Sequence, residues 1–160
     1  MKHVVQDGSG AWRFDEYFAY LESVKERLPL EVYAFASAWA HYSLDNPSSL
    51  HDAWVDAFTV RELAEGERSE VRTTEAVLRL LAPYHDRAQV LRYRGVTSYT
   101  MTSPSVGSGH GDLIVHEVTL VGERRVQHEL LFDTGSTLTV ECESFSYEEQ
   151  SLSPAGGTAG

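Results

Sequence analysis

The hydrophobic periodicity of this chain changes once, near Pro47, from a helical to an extended pattern. Before that point apolar residues recur every three to four positions, which is typical of amphipathic helices. After it, apolar and polar residues alternate in short runs separated by turn residues, which is typical of half-buried strands. The chain must therefore combine a short helical part with a longer β part.

Two helices are predicted before the change. The first runs from about Phe14 to Leu28, and Pro29 ends it because proline fits the first turn of a helix and not its interior. The second runs from about Leu30 to Leu44 and has few polar residues, so we expect it to be largely buried. The segment 45–49 then predicts a turn.

Six strands are predicted after the turn. They are about Trp54–Glu62, Thr74–Leu81, Gln89–Met101, Leu113–Val121, Arg125–Phe132 and Ser136–Phe145. No helical pattern lies between them, so parallel crossovers are not expected. The expected fold class is α+β, with two N-terminal helices packed on a mostly antiparallel, meander-like sheet.

A single domain is expected from the length of 160 residues. Residues 1–150 should form the α+β domain, and 151–160 a disordered tail of small residues. The segment 64–70 and the Gly- and Ser-rich segment 103–111 are predicted loops, the latter flexible.

The charge and the cysteine content limit which partners and which cellular compartment we expect. The 13 basic and 24 acidic residues give a formal charge of -11, which argues against phosphate-mediated binding of nucleic acid and would attract a basic protein. No apolar stretch is long enough to cross a membrane, and the first residues do not form a signal peptide. With Cys142 as the single cysteine, we expect a cytoplasmic protein that binds neither nucleic acid nor membrane.

The motif Asp133-Thr134-Gly135 is the string with which aspartic proteases present a catalytic carboxylate. That chemistry needs two carboxylates that share a proton, and the chain has one such motif with 25 residues after it. A three-residue hairpin loop explains the motif better, because it pairs Leu130 with Leu138 and so brings the apolar faces of both strands together. Gly135 then occupies the left-handed position of the loop. The sequence predicts a turn here.

Two His-Asp doublets are candidate metal ligands for a hydrolase. His51-Asp52 and His85-Asp86 resemble the doublet of HD-type phosphohydrolases, but the further helical ligands of those enzymes are missing. A local role is the alternative, with the aspartates as turn acceptors. We expect no bound metal or other cofactor, since the chain also lacks a phosphate loop and a nucleophile elbow.

His116 and His128 lie on two neighbouring predicted strands. A two-residue turn at Gly122-Glu123 would place His116 opposite Glu129 and His128 opposite Glu117, whereas a four-residue loop would break both pairs. The pairs would be able to act as acid and base, although solvated cross-strand pairs are commoner.

Four acidic residues and one tryptophan are the candidate partner-binding residues. Acidic side chains follow the last predicted strand on its solvent face, and exposed aromatic residues often anchor interfaces. The residues are Glu141, Glu143, Glu148, Glu149 and Trp54. A solvated strand face and core packing are the structural alternatives.

Several short segments between Leu28 and Tyr147 together resemble a group of small uncharacterised bacterial proteins. They are Phe35-Ala36, the run 49–54, the run 128–135, and the run 138–142 with Phe145. Some proteins of that group are similar to the immunity proteins that neutralise polymorphic toxins. The resemblance implies a bacterial, cytoplasmic, non-enzymatic protein that binds another protein, and it assigns no catalytic residue. We therefore expect a small acidic protein-binding module, with a basic toxin domain as one candidate partner; a metal-dependent hydrolase and a homo-oligomeric structural subunit are the alternatives.

Overall fold

A computed structural model describes residues 1–104, 107 and 109–152. Over these residues the chain forms ten strands and two short α-helices. The elements are β1 Val5–Gln6, β2 Trp12–Arg13, α1 Asp15–Val24, α2 Leu30–Ser37, β3 Trp54–Glu65, β4 Val71–Leu81, β5 Arg87–Arg94, β6 Ser98–Thr102, β7 Leu113–Val121, β8 Arg125–Phe132, β9 Thr137–Cys142 and β10 Ser144–Ser151.

The strands form three antiparallel sheets. β1 and β2 pair as a small hairpin, and the other eight strands form two four-stranded sheets with the orders β10-β5-β4-β3 and β6-β9-β8-β7. The chain passes from one large sheet to the other twice, between β5 and β6 and between β9 and β10. Bends of this kind are how strands switch sheets at the corner of a β-sandwich.

The predicted α+β fold of two helices on one six-stranded sheet is wrong, because the protein is mostly β and its strands lie in three sheets. Two of the predicted strands, Gln89–Met101 and Ser136–Phe145, are each divided at the corner. Gly95 adopts a φ of 60° there, and the Glu143 amide donates to the Arg94 carbonyl at 3.1 Å. The alternation of apolar residues shifts by one position at this corner, from Val140 and Cys142 to Phe145 and Tyr147, but a shift of one residue alone does not show that the strand changes sheets.

The helices are shorter than predicted. α1 passes into a 3-10 turn at Lys25–Arg27, and α2 ends at Ser37 because Ala38 is extended, with φ -76° and ψ 105°. A second 3-10 turn follows at Trp39–His41. No helix in the described ranges is long and apolar enough to cross a membrane.

β7 is an edge strand of its sheet, and α1 covers that edge. The Val118 amide donates to the Tyr17 hydroxyl at 2.9 Å, and the Leu120 amide donates to the Tyr20 hydroxyl at 2.7 Å. Tyr17 is fully buried. The edge amides that would otherwise lack a partner are thus paired by tyrosine side chains.

The first residues of the chain bind a buried carboxylate on β7. Glu117 is 1% exposed and accepts hydrogen bonds from the amides of Lys2, His3 and Val4 at 2.9–3.0 Å. These backbone donors satisfy a charge that would be costly to bury alone. They also hold the β1–β2 hairpin beside β7.

The hairpin between β8 and β9 has the predicted register. Leu130 is opposite Leu138, and the Gly135 amide donates to the Phe132 carbonyl at 3.0 Å. Gly135 has a φ of 81°, as the loop requires. The Asp133 carboxylate accepts the Asp112 amide at 3.1 Å, so it anchors the neighbouring loop. The turn prediction for Asp133-Thr134-Gly135 is confirmed.

Two predicted loops reach the limits of the described residues. Ser151 ends β10, so the strand extends one residue into the predicted tail, and residues 153–160 lie outside the described part. Of the predicted flexible loop 103–111, residues 105, 106 and 108 also lie outside it.

Candidate functional site

The N-terminal hairpin, the 3-10 turn after α2 and the start of β7 enclose a cavity of about 530 Å³. This volume lies within the range of about 300–1,000 Å³ that is typical of small-molecule sites. The lining residues are mostly apolar or aromatic. They include Trp12, Phe14, Trp39, Tyr42, Leu113 and Ile114, with His41, Ser43, Asp45, His51 and His116 as polar members.

An aromatic cluster builds one wall of the cavity. The ring of Phe14 lies 5.8 Å from that of Trp39 and 5.2 Å from that of Tyr42. Tyr42 is buried, and its hydroxyl donates to the Ala36 carbonyl at 2.9 Å. Trp39 is 55% exposed although it lines the cavity. Flat aromatic surfaces of this kind suit an apolar or aromatic ligand.

His116 is the most deeply buried polar residue of the lining. It is 1% exposed, and its ring stacks on that of Tyr42 at 4.4 Å and 13°. Its Nδ1 lies 3.1 Å from Nε2 of His128. Nε2 of His116 is buried, and in the described part of the chain it has no well-aligned hydrogen-bond partner. This atom has essentially no accessible surface, so it is part of the packed wall and not an open polar group of the cavity.

His128 and Tyr93 continue this contact into the core. Nδ1 of His128 lies 2.8 Å from the hydroxyl of Tyr93, and both residues are fully buried. The three side chains therefore form a chain of hydrogen bonds from the interior to the cavity lining. His128 also stacks on Phe145 at 5.3 Å, which fixes its ring.

Burial keeps these imidazoles neutral at physiological pH. It lowers the pKa of His128 to about 3, with His41 adding a smaller effect of the same sign. Burial likewise lowers the pKa of His116 well below its usual value, and His128 and His41 lower it further. A hydrogen bond of the His116 ring with the backbone of His41 raises the pKa and partly offsets this shift. Both rings thus carry one proton each, and each has one donor and one acceptor nitrogen.

The two other histidines of the lining have local contacts. Nδ1 of His41 lies 2.9 Å from the Phe35 carbonyl, and burial lowers the pKa of this ring. Nδ1 of His51 lies 2.9 Å from Oδ1 of Asp52, but the two atoms are not aligned for a hydrogen bond. His51 is thus the one member of the predicted doublets that reaches the cavity.

The second doublet lies in the turn between β4 and β5. His85 has a φ of 56° and packs edge-on against Trp54 at 4.5 Å, while Asp86 binds Arg87 at 2.8 Å. Asp86 and Arg87 are thus paired with each other in this turn. Within residues 1–104, 107 and 109–152 there is no group of three His, Cys, Asp or Glu side chains able to hold a metal ion.

The pairs of His116 with Glu129 and of His128 with Glu117, which a two-residue turn would give, do not form. β7 and β8 are joined by a three-residue loop, since Val121 is opposite Arg125, and this loop places His116 opposite Leu130. His116 and His128 therefore lie diagonally on the same inward face. Their contact is with each other rather than with the glutamates.

Three of the four predicted acidic partner-binding residues are paired with arginine. Glu141 lies 3.1 Å from Arg125, Glu148 lies 3.3 Å from Arg92, and Glu149 lies 2.8 Å from Arg87. Burial has the largest single effect on Glu149 and raises its pKa, but the hydrogen bonds from Ser48, Arg87 and Tyr147 together outweigh it and lower the pKa. Glu143 is exposed at the corner between the sheets.

Trp54, the fifth predicted residue, is 46% exposed at the start of β3. It lines a smaller cavity of about 260 Å³ with Val55, Gly109, His110, Gly111 and Asp112. This cavity and the larger one have no lining residue in common. The predicted partner-binding residues and the large cavity are therefore separate features of the molecule.

Comparison of the chain with protein-family models, with curated proteins and with solved structures found no match. The function must therefore be inferred from the cavity and its chemistry. Sequence reasoning noted His116 and His128 as neighbours but did not predict the cavity, because its lining comes from four separate parts of the chain. The one available signal was the presence of histidines within strongly apolar strands.

Proposed function

We propose that this protein binds a small, mostly apolar molecule in the cavity beside β7. The observation that carries the proposal is a cavity of about 530 Å³ whose lining is mostly aromatic and apolar, with Ser43, Asp45 and His51 among its few polar residues. Binding sites for small molecules combine apolar walls with a few well-placed polar groups in this way.

The energetics favour an occupied cavity. Polar lining residues such as Ser43 would form hydrogen bonds with a polar group of the ligand. Contact with Phe14, Trp39 and Tyr42 would add the burial of apolar surface, at about 25 cal/mol for each Å². A ligand with an apolar body and one polar group fits both features.

Benzophenone is a suitable probe for this proposal, because it is neutral, aromatic and small enough for the cavity. The indole N–H signals of the three tryptophans report its position in a ¹H–¹⁵N spectrum. We expect saturable shifts of the Trp12 and Trp39 signals, which line the cavity, and none at Trp54, which lies outside it. Absence of saturable shifts at Trp12 and Trp39 would contradict the proposal.

A blocking substitution provides the matched control. Ser43 lines the cavity and is partly exposed, so Ser43→Trp should fill the space without disturbing the core. Ser23 is exposed on α1, and Ser23→Trp makes the same chemical change away from the cavity. Benzophenone binding should be lost in the first variant and kept in the second.

The binding of a protein partner, such as a basic toxin domain, is a second candidate function. It is supported by the formal charge of -11 and by an exposed patch in which Trp54 packs on His85 next to Tyr84, which is 62% exposed. Exposed tryptophan and tyrosine are frequent interface anchors. A two-hybrid test against the products of neighbouring genes, with Trp54→Ala as the variant, examines this proposal. A partner whose binding does not depend on Trp54 would argue against the patch.

A further inference from the structure

We infer that the cavity beside β7 selects organic cations with an apolar body, such as an aryl-trimethylammonium ion, over neutral molecules of the same shape, and that Trp39 and Asp45 provide this selectivity. The inference rests on the proposed function, since it specifies the ligand class of the same cavity. It follows from two properties of the lining, which are its partly exposed aromatic rings and the sign of its charged groups.

Three aromatic side chains of the lining are open to a ligand. Trp39 is 55% exposed, and Trp12 and Phe14 are each partly exposed. The rings of Phe14 and Trp39 lie 5.8 Å apart at an angle of 82°, so they form two adjoining walls, which we call the aromatic corner. The face of an aromatic ring attracts a cation within about 6 Å of its centre, and tryptophan does so most strongly. A cation bound in the aromatic corner would lie near both rings.

The charged groups of the lining favour the same class of ligand. Among the described residues that line the cavity, Asp45 is the one carboxylate, and there is no lysine or arginine. Asp45 is exposed and forms no ion pair with another described residue. Its charge is therefore available to a cationic ligand, and it would repel an anionic one.

The histidines of the lining do not reverse this charge. Burial lowers the pKa of His41 and of His116, so both rings are neutral at physiological pH. His51 lies 2.9 Å from the carboxylate of Asp52, which would offset a positive charge on its ring. The cavity thus combines aromatic surface with a net negative charge.

The basic side chain that follows Trp12 on β2 is balanced by two carboxylates. Arg13 lies 3.9 Å from Asp7 and 3.7 Å from Asp15. It lines a neighbouring cavity of about 450 Å³ that shares the aromatic corner with the larger one. Because of its two acidic neighbours, Arg13 does not cancel the charge of the lining.

Phenyltrimethylammonium and tert-butylbenzene test this inference as a matched pair, because they share their shape and differ in one charge. The indole N–H shifts of Trp12 and Trp39 measure both affinities. We expect the wild-type protein to bind the cation about tenfold more tightly, which corresponds to about 1.4 kcal/mol. A cation–π contact that is partly shielded from water has an effect of this size.

The outcomes separate this inference from the proposed function. If benzophenone binds but the cation has no advantage over tert-butylbenzene, the inferred ligand class is wrong and the proposed function stands. If none of the three compounds binds, both are wrong.

Trp39→Leu removes an exposed ring from the aromatic corner without emptying the core. We expect the ratio of the two affinities, measured at the Trp12 signal, to fall from about tenfold to about threefold. Trp54→Leu, at a 46% exposed position outside the cavity, is the matched control and should keep the wild-type ratio. A tenfold ratio in folded Trp39→Leu would overturn the aromatic origin of the selectivity.

Asp45→Asn keeps the shape of the side chain and removes its charge. We expect the affinity for phenyltrimethylammonium to fall about threefold, as for a solvent-exposed ion pair, and the affinity for tert-butylbenzene to stay the same. Glu65→Gln makes the same change of net charge at an exposed residue of β3 that does not line the cavity, and it should leave both affinities unchanged. Equal losses in the two variants would overturn the role of Asp45, because they would show that the overall charge attracts the cation.

Discussion

The hydroxyl of Tyr17 accepts the backbone N–H of Val118 at 2.9 Å, so a side chain of α1 completes the hydrogen bonding of an edge strand. Tyr20 makes the same contact with Leu120 one pleat further along β7. Helical spacing of three residues thus matches the two-residue repeat of the strand edge. The contact explains why α1 lies along β7, the strand that carries His116 to the cavity.

Tyr17→Phe should destabilise the protein by about 2 kcal/mol, because it leaves the buried Val118 amide without an acceptor. Urea unfolding measures the change, and hydrogen exchange at Val118 should become faster. Tyr84→Phe, at an exposed position, should alter neither quantity. Unchanged exchange at Val118 in Tyr17→Phe would contradict this role of the hydroxyl.

Gly135→Ala should cost about 1 kcal/mol of unfolding free energy through backbone strain alone. Gly135 has a φ of 81°, and an added Cβ would meet only Pro104, at 3.7 Å. Gly135→Asn should cost less, since asparagine tolerates the left-handed region. Gly8→Ala, where φ is not positive and no atom lies within 4 Å, is the control in chemical denaturation. Equal stabilities of Gly135→Ala and the control would refute the strain argument.

Cys142 should be unreactive in the folded protein. Burial raises the pKa of its thiol to about 12, so almost no thiolate is present at pH 8. A chromogenic disulfide reagent should label the thiol only when urea unfolds the chain, and the labelling rate should follow the unfolding transition. Rapid labelling of the native protein would show that β9 opens locally.

The free energy of unfolding should decrease as the pH falls below about 6.5. A histidine in the unfolded chain binds a proton near that pH, whereas His128 in the folded protein does so only near pH 3. The unfolded state therefore binds more protons in this window, and stability is lost at about 1.4 kcal/mol per pH unit for each such histidine. His116 and His41 contribute with the same sign.

Urea unfolding between pH 7 and pH 4.5 measures this slope. His128→Phe keeps an aromatic ring against Phe145 and removes one titrating group, so its stability should depend less steeply on pH even if it is lower at pH 7. The same slope in both proteins would show that His128 is not the source of the pH dependence.

The β8–β9 hairpin was predictable from the sequence because two independent constraints agree there. The alternation of apolar residues requires Leu130 opposite Leu138, and Gly135 occupies the one loop position that needs a positive φ. The β7–β8 hairpin lacked such agreement, since Gly122 fits more than one loop length. A change of one residue in that loop moves His116 from opposite Glu129 to opposite Leu130.

The sheet topology and the cavity were not predictable in the same way. The period of two shifts by one residue at Glu143, which also fits a bulge within one strand, so the change of sheet at Gly95 and Glu143 was missed. The cavity depends on the position of the N-terminal hairpin, which is held by the amides of residues 2–4 at Glu117. Backbone donors have no sequence pattern of their own.

The corner at Gly95 and Glu143 makes the two large sheets thermodynamically inseparable. β5 and β6 are consecutive, β9 and β10 are consecutive, and each pair contributes one strand to each sheet. If either sheet unfolds, a strand of the other sheet loses the covalent neighbour that helps to fix its pairing register. Unfolding should therefore be a single cooperative event, in which tryptophan fluorescence and far-ultraviolet circular dichroism report the same midpoint.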